Sequence, residues 1–209
     1  MLTSVLLISL AGLAFGVIHT ALASMRVKDW ARRRWGEERV DRWYRLFFSA
    51  AAGVTFLPVL VLPAVLPDRA LYTVPTPWVW LTTALQVAAL GVFLLALAQT
   101  DVALFIGLRQ MLRGGEPVPA DRHERLVTSG PYRWVRHPLY STAIATFWLW
   151  PDMTLNRLAF FAVCSAYFYL GSFPEERKLV QEFGEAYRRY QRAVPRMIPR
   201  PTRAYRDAG

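Results

Sequence analysis

Three stretches of this chain carry no formal charge: Leu2–Ala23 and residues 46–67 and 71–100. A bilayer core of ~30 Å needs ~20 apolar residues per helix, so each stretch is long enough to cross, and few other folds accommodate three such runs. The first lacks a basic start and leads straight into MRVKDWARRRW, so it reads as a retained helix and not as a cleaved secretory signal. Two further apolar pieces, residues 139–150 and 155–171, are separated by Pro151 and Asp152 and predict a helical hairpin. The first piece has 12 residues, short for a full span, so a re-entrant hairpin is the alternative.

Composition supports the same class. Hydrophobic residues make up 54% of the 209 and mean hydropathy is +0.22, yet the formal net charge is +10. Cations and apolar residues must therefore be segregated along the chain. Of the 25 Lys and Arg residues, 23 fall in residues 26–45, 101–138 and 174–209. Five crossings put those three regions on one side, which the positive-inside rule makes cytoplasmic. The expectation is a bacterial inner-membrane protein with its N-terminus outside and its C-terminus in the cytoplasm. The clusters Arg32, Arg33, Arg34 and Arg188, Arg189, Arg192 then face anionic membrane lipids, at on the order of 1 kcal/mol per cation. Nucleic acid is not an expected partner, because the cations follow helix ends and no recognition module accompanies them.

The single cysteine, Cys164, lies in an apolar segment, which excludes an intramolecular disulfide and reads as a small buried hydrophobe. Glycines and prolines rule out a continuous helix over residues 113–131. No internal repeat is visible. The expected organisation is all-α: one membrane domain over 1–209, with three membrane helices in 1–110 and a catalytic half in 111–209 ending in an amphipathic helix.

The chemistry is concentrated in LVTSGPYRWVRHPLY, residues 126–140. Thr128, Ser129, Gly130 and Pro131 predict a turn that exposes backbone donors and acceptors. Pro138 keeps His137 out of helical geometry and suits the first position of the next helix. His137 and Tyr140, three apart, then share a helical face. Arg133 and Arg136 crowd the same ledge; for Arg133 a solvated juxtamembrane position is the stronger reading. A second motif, PEERKLVQEFGEAYRRYQRAVPRMIPR, covers residues 174–200. Pro174 suits a helix start, with Glu175 and Glu176 in its first turn favoured by the helix dipole. A carboxylate directly below a membrane helix is nevertheless costly unless paired. Phe183, Tyr187 and Tyr190 form a structural stripe on an amphipathic helix that can lie at the interface.

The RHPLY motif followed by the EE segment resembles the C-terminal half of the isoprenylcysteine carboxyl methyltransferase and phospholipid methyltransferase superfamily, over roughly residues 124–200. HTALASMRVKDW and FWLWPDMTLNRLAF resemble its bacterial branch, which contains methanethiol S-methyltransferase. The resemblance implies an S-adenosylmethionine-dependent methyltransferase without a dinucleotide-type domain and without a metal. It also implies a cofactor site formed by Glu124, Arg125, Leu126, Val127, Tyr132, His137, Pro138, Leu139, Tyr140 and Glu175. Those residue types suit a ligand that carries an amine, a carboxylate, an adenine and a sulfonium.

Two positions depart from the family pattern. Thr142 stands where RHPxYxG has glycine, and Gly171 stands four residues before Glu175, where isoprenylcysteine enzymes place an arginine for the substrate carboxylate. A small thiol or another lipophilic acceptor therefore fits better than a prenylcysteine carboxylate. A thiol reacts as its thiolate, so Arg136 by lowering the thiol pKa, or His137 or Glu176 as base, are the catalytic candidates. His19, inside the first membrane helix, is either functional or a packing residue. The competing expectations are a carboxyl or phospholipid methyltransferase and a non-catalytic membrane protein of the same fold.

Overall fold

The computed structural model describes residues 1–100, 108, 112, 126–200 and 205. The predicted cofactor residues Glu124 and Arg125, and the predicted loop up to residue 125, lie outside them. In chain order the elements are α1 (Leu2–Ala23), α2 (Met25–Trp35), α3 (Glu37–Val65), β1 (Ala70–Thr73), α4 (Trp78–Leu97), a 3₁₀ turn (Gly130–Arg133), α5 (Pro138–Trp148), β2 (Asp152–Thr154) and α6 (Leu155–Ala193). Among the described residues the structure is mostly helical, as expected, and β1 and β2 pair as a two-stranded sheet that the all-α expectation did not include. Among the described residues three helices, α1, α3 and α4, are long and apolar enough to cross a membrane. Their large apolar side chains, such as Leu6, Leu13, Val54, Leu57, Val87 and Leu95, are exposed, as lipid-facing positions are.

The described residues form two compact units. The first comprises residues 1–70, 108, 112 and 154–163. Here α1 packs on α3, and α2 packs on both. Gly12 permits a close approach, since a Cβ there would meet the Val163 side chain. At the far end of α3 the fully buried Asn156 amide donates to the carbonyls of Leu66 (3.1 Å), Pro63 (3.4 Å) and Pro67 (3.4 Å). Carbonyls at a helix end that have no intrahelical donor thereby gain one. His19 lies beside the rings of Phe15 and Phe48, at centroid distances of 5.4 and 4.6 Å.

The second unit comprises residues 71–100, 126–153 and 164–200, with Tyr205. Its frame is α4 against α5. Val74 N–H donates to Pro151 O (2.8 Å) at one end, and the Gln86 amide donates to Thr146 O (3.0 Å) midway. At the other end Ser129 Oγ donates to Gln99 Oε1 (3.3 Å). The Pro151–Asp152 break is present, and Cys164 is buried as expected.

The predicted helix start at Pro174 is not observed. Helix α6 runs through Pro174 and breaks instead at Gly184, whose φ of 55° and ψ of −127° suit glycine. A proline removes one backbone donor, whereas a left-handed residue redirects the chain. Glu175 and Glu176 thus lie within a helix and not in its first turn, and the dipole argument for them lapses. Beyond the break, Tyr187, Tyr190 and Val194 are buried against Leu126, Leu179, Val180, Phe183 and Tyr205. The aromatic stripe is structural, as expected, and its tyrosines pack on this unit's own chain and not on a membrane surface.

Candidate active site

The site is assembled in the second unit where α5 begins. Pro138 occupies the first turn of α5, and His137 precedes it at φ −122°, ψ 64°, a non-helical geometry that a residue before proline favours. The backbone here is bound to the segment that follows α6: Arg136 N–H donates to Pro195 O (2.9 Å) and His137 N–H to Arg196 O (3.0 Å). The Ser141 hydroxyl lies 2.9 Å from His137 O and 2.7 Å from Met197 O, so it reinforces the same junction.

Glu176 is the centre of a buried polar cluster. Its Oε1 accepts from Arg136 Nε (2.8 Å) and faces His137 Nε2 (3.1 Å); its Oε2 accepts from Gln191 Nε2 (3.0 Å) and Arg196 Nη2 (3.0 Å). The Arg136, His137 and Glu176 side chains are 9%, 4% and 4% exposed. Burial alone pushes the Glu176 carboxyl pKa up, but hydrogen bonds from His137 and Arg136 and the charges of Arg136 and Arg196 outweigh it and hold the pKa at about 2. A carboxylate so held can only accept at each of these contacts. Arg136 also donates through Nη1 to Gln191 O (2.9 Å) and to Val194 O, satisfying carbonyls at the end of α6. The Arg196 guanidinium lies over the Phe173 ring, 3.7 Å from its centroid, in a cation–π contact.

Glu175, the adjacent carboxylate, is in a different environment. Its side chain is 45% exposed, accepts from Tyr140 Oη (2.8 Å) and lies 3.6 Å from His137 Nδ1, outside hydrogen-bond distance. Beside it the rings of His137, Tyr140 and Phe168 form a ladder, with centroid spacings of 5.3 and 5.1 Å and interplanar angles of 3° and 13°. Tyr132, in the 3₁₀ turn, has its hydroxyl pKa pushed up to about 12 by burial and by the Glu175 charge, and so remains a phenol. Its carbonyl accepts from Tyr190 Oη (2.6 Å). Gly130 has φ 54°, and a Cβ there would meet the Gln99 side chain, so this turn requires glycine.

Of the expected site residues, Tyr132, Arg136, His137, Pro138, Tyr140, Glu175 and Glu176 come together here. Leu139 lies in the first turn of α5, Leu126 packs on the tyrosine cluster and Val127 precedes the turn. Arg133 is tied to Tyr205, donating from Nε to its carbonyl (2.9 Å) and accepting its N–H (3.1 Å), so the solvated-ledge reading is corrected. Sequence reasoning missed Gln191 and Arg196, which complete the Glu176 cluster, and Phe168, which extends the ring ladder. The available signal was Gly184, because a glycine inside a helical pattern marks a place where the chain can fold back.

Comparison with known proteins assigns the family. The chain is 32% identical to the methanethiol S-methyltransferase of Pseudomonas deceptionensis, over 95% of its own length and 72% of that protein's. This chain belongs to the family of the bacterial methanethiol S-methyltransferases. It is 33% identical to methanethiol S-methyltransferase 1 of Bradyrhizobium diazoefficiens over 88% of its length, and spans 63% of that relative. Residues 87–186 match the phospholipid methyltransferase family model, and 126 residues are 31% identical to the protein-S-isoprenylcysteine O-methyltransferase of Schizosaccharomyces pombe, covering 51% of this chain and 52% of that one. No solved structure matches. At the two departures from the family pattern, Thr142 Oγ1 turns back onto Pro138 O (2.7 Å), and a Cβ at Gly171 would meet no atom within 4 Å.

Proposed function

We propose that this chain is an S-adenosylmethionine-dependent membrane methyltransferase whose acceptor is a small thiol or another lipophilic molecule. The observation that carries this reading is the pairing of a half-exposed carboxylate, Glu175, with a ladder of three near-parallel rings. The residues fit the cofactor: an ammonium or sulfonium finds an anion and aromatic faces there, with Tyr132, Tyr140 and the start of α5 around it. When bound, S-adenosylmethionine supplies an electrophilic methyl group on a sulfonium. The chain aligns acceptor and methyl group for in-line displacement, excludes water and removes the acceptor's proton. Arg136, His137 and Glu176 are the residues to which that last task falls.

The proposed orientation has five crossings, with the RHP motif and the C-terminus in the cytoplasm and the N-terminus outside, in a bacterial inner membrane. Besides the distribution of cations, the second unit supports α5 as a crossing. The hairpin tip at Pro151 is bonded beside the start of α4, whereas the 3₁₀ turn before the RHP motif is bonded at the end of α4, 20 residues on. Twenty helical residues rise ~30 Å, the thickness of a bilayer core.

A labelled-methyl assay on the solubilised protein tests the acceptor, with methanethiol-sized thiols, phospholipids and a farnesylated cysteine offered in parallel. The expected product is the S-methylated thiol. Gly171 leaves no cation in α6 one turn before Glu175, so a carboxylate acceptor gains little transition-state stabilisation at that position. Carboxyl methylation of the prenylated compound without thiol methylation would replace the thiol reading.

A further inference from the structure

His137 has two ring nitrogens in different surroundings, and the cluster behind it decides which one carries the proton. Nε2 points to Glu176, a buried carboxylate with three further donors from Arg136, Gln191 and Arg196. Two of those donors come from beyond the Gly184 break, so the segment after α6 is part of the device. That segment is also the one whose carbonyls at Pro195 and Arg196 bind the backbone of residues 136 and 137. Nδ1 lies on the other side, 3.6 Å from Oε2 of the half-exposed Glu175, the oxygen that accepts from the Tyr140 hydroxyl. The charged and titratable groups facing the imidazole are therefore Glu175 and Glu176 from α6, Tyr140 from α5, and Arg136 and Arg196 by way of Glu176.

We propose that Glu176, clamped by Arg136, Gln191 and Arg196, is a positioning residue that fixes His137 as the Nε2–H tautomer and makes Nδ1 the atom that accepts the proton of the methyl acceptor. This assignment rests on the methyltransferase reading above. It divides the neighbouring carboxylates: Glu175 faces the ligand side, and Glu176 acts only through His137. The step balances. The thiol proton passes to Nδ1, the sulfur lone pair forms the new S–CH₃ bond, and the bond from methyl carbon to sulfonium breaks with its electron pair left on the departing thioether. The Nδ1 proton then returns to water past the exposed Glu175. A base of this kind contributes ~10²–10⁴-fold to rate.

The test uses the solubilised full chain and two readouts. Nitrogen NMR of ¹⁵N-histidine-labelled protein, with His137 assigned by its loss in His137→Asn, should find the neutral ring protonated at Nε2; protonation at Nδ1 in the wild type would overturn the proposal without any further variant. The second readout is methyl transfer by Glu176→Gln and Arg196→Met to two thiols, one of ordinary pKa, ~8.5, and one acidic enough to be ionised at neutral pH. Transfer to the ordinary thiol should fall on the order of 10²-fold in Glu176→Gln and by a smaller factor in Arg196→Met. Transfer to the pre-ionised thiol should fall by no more than a few-fold. Equal losses on both acceptors would mean a merely structural role and sink the assignment while leaving the enzyme reading intact. A wild-type protein that binds no S-adenosylmethionine and methylates neither thiol would overturn the enzyme reading itself.

Discussion

The two units bury polar atoms by opposite means. In the first, the polar centre is a neutral amide, Asn156, whose donors meet three backbone carbonyls at the end of α3. In the second it is a carboxylate, Glu176, with four side-chain donors, two of them guanidinium groups. A neutral amide closes a helix end and leaves no net charge for a ligand. A buried carboxylate requires cations and an imidazole around it, and that requirement brings RHP, the EE pair and the post-helix segment into one place. Apolar helices of the same kind thus frame a neutral polar centre in one unit and a charged one in the other, and the difference lies in which polar group is buried.

The comparison predicts unequal costs on truncation. Arg136→Ala removes a guanidinium that serves Glu176 and the carbonyls of Gln191 and Val194, leaving a buried charge short of a partner. Loss of one partner of such a pair costs ~3–5 kcal/mol, so thermal unfolding in detergent should register a large drop in Tm. The same cluster should be acid-sensitive. The folded Glu176 pKa lies below its ordinary value, so the stabilisation is present above the usual carboxylate range, ~4.3, and is lost as pH falls from there toward about 2. A loss of stability on raising the pH through neutrality would contradict this sign. Asn156→Ala, by contrast, leaves neutral carbonyls without a donor, at ~1–3 kcal/mol, and should show no comparable acid dependence. Equal costs and equal pH profiles for the two variants would dissolve the distinction between the units.

How far the sequence reveals this arrangement follows from the range of each interaction. The spans of α1, α3 and α4 were legible because apolar length is a local property, and the His137–Tyr140 face was legible because helical spacing fixes it. The pairing of Glu176 was expected only in general, from the cost of an unpaired carboxylate beside a membrane. Its partners Gln191 and Arg196 lie 15 and 20 residues away across the Gly184 break, where no periodicity carries. Pro174 misled for a related reason: proline favours a helix start but does not compel one, and α6 passes through it. Asn156 gave no signal, since one amide after a Pro–Asp turn reads as turn chemistry until the carbonyls of Pro63 and Leu66 are seen beside it.

The central claim is that Glu175 faces a cationic ligand while Glu176 faces only the protein. Calorimetric titration of S-adenosylmethionine into the solubilised wild type and into Glu175→Gln tests it most directly. The wild type should bind, and the variant should bind about 1.5–3 kcal/mol more weakly, the scale of a lost hydrogen bond to a charged group, with its unfolding temperature unchanged. Wild-type affinity in Glu175→Gln would contradict the account.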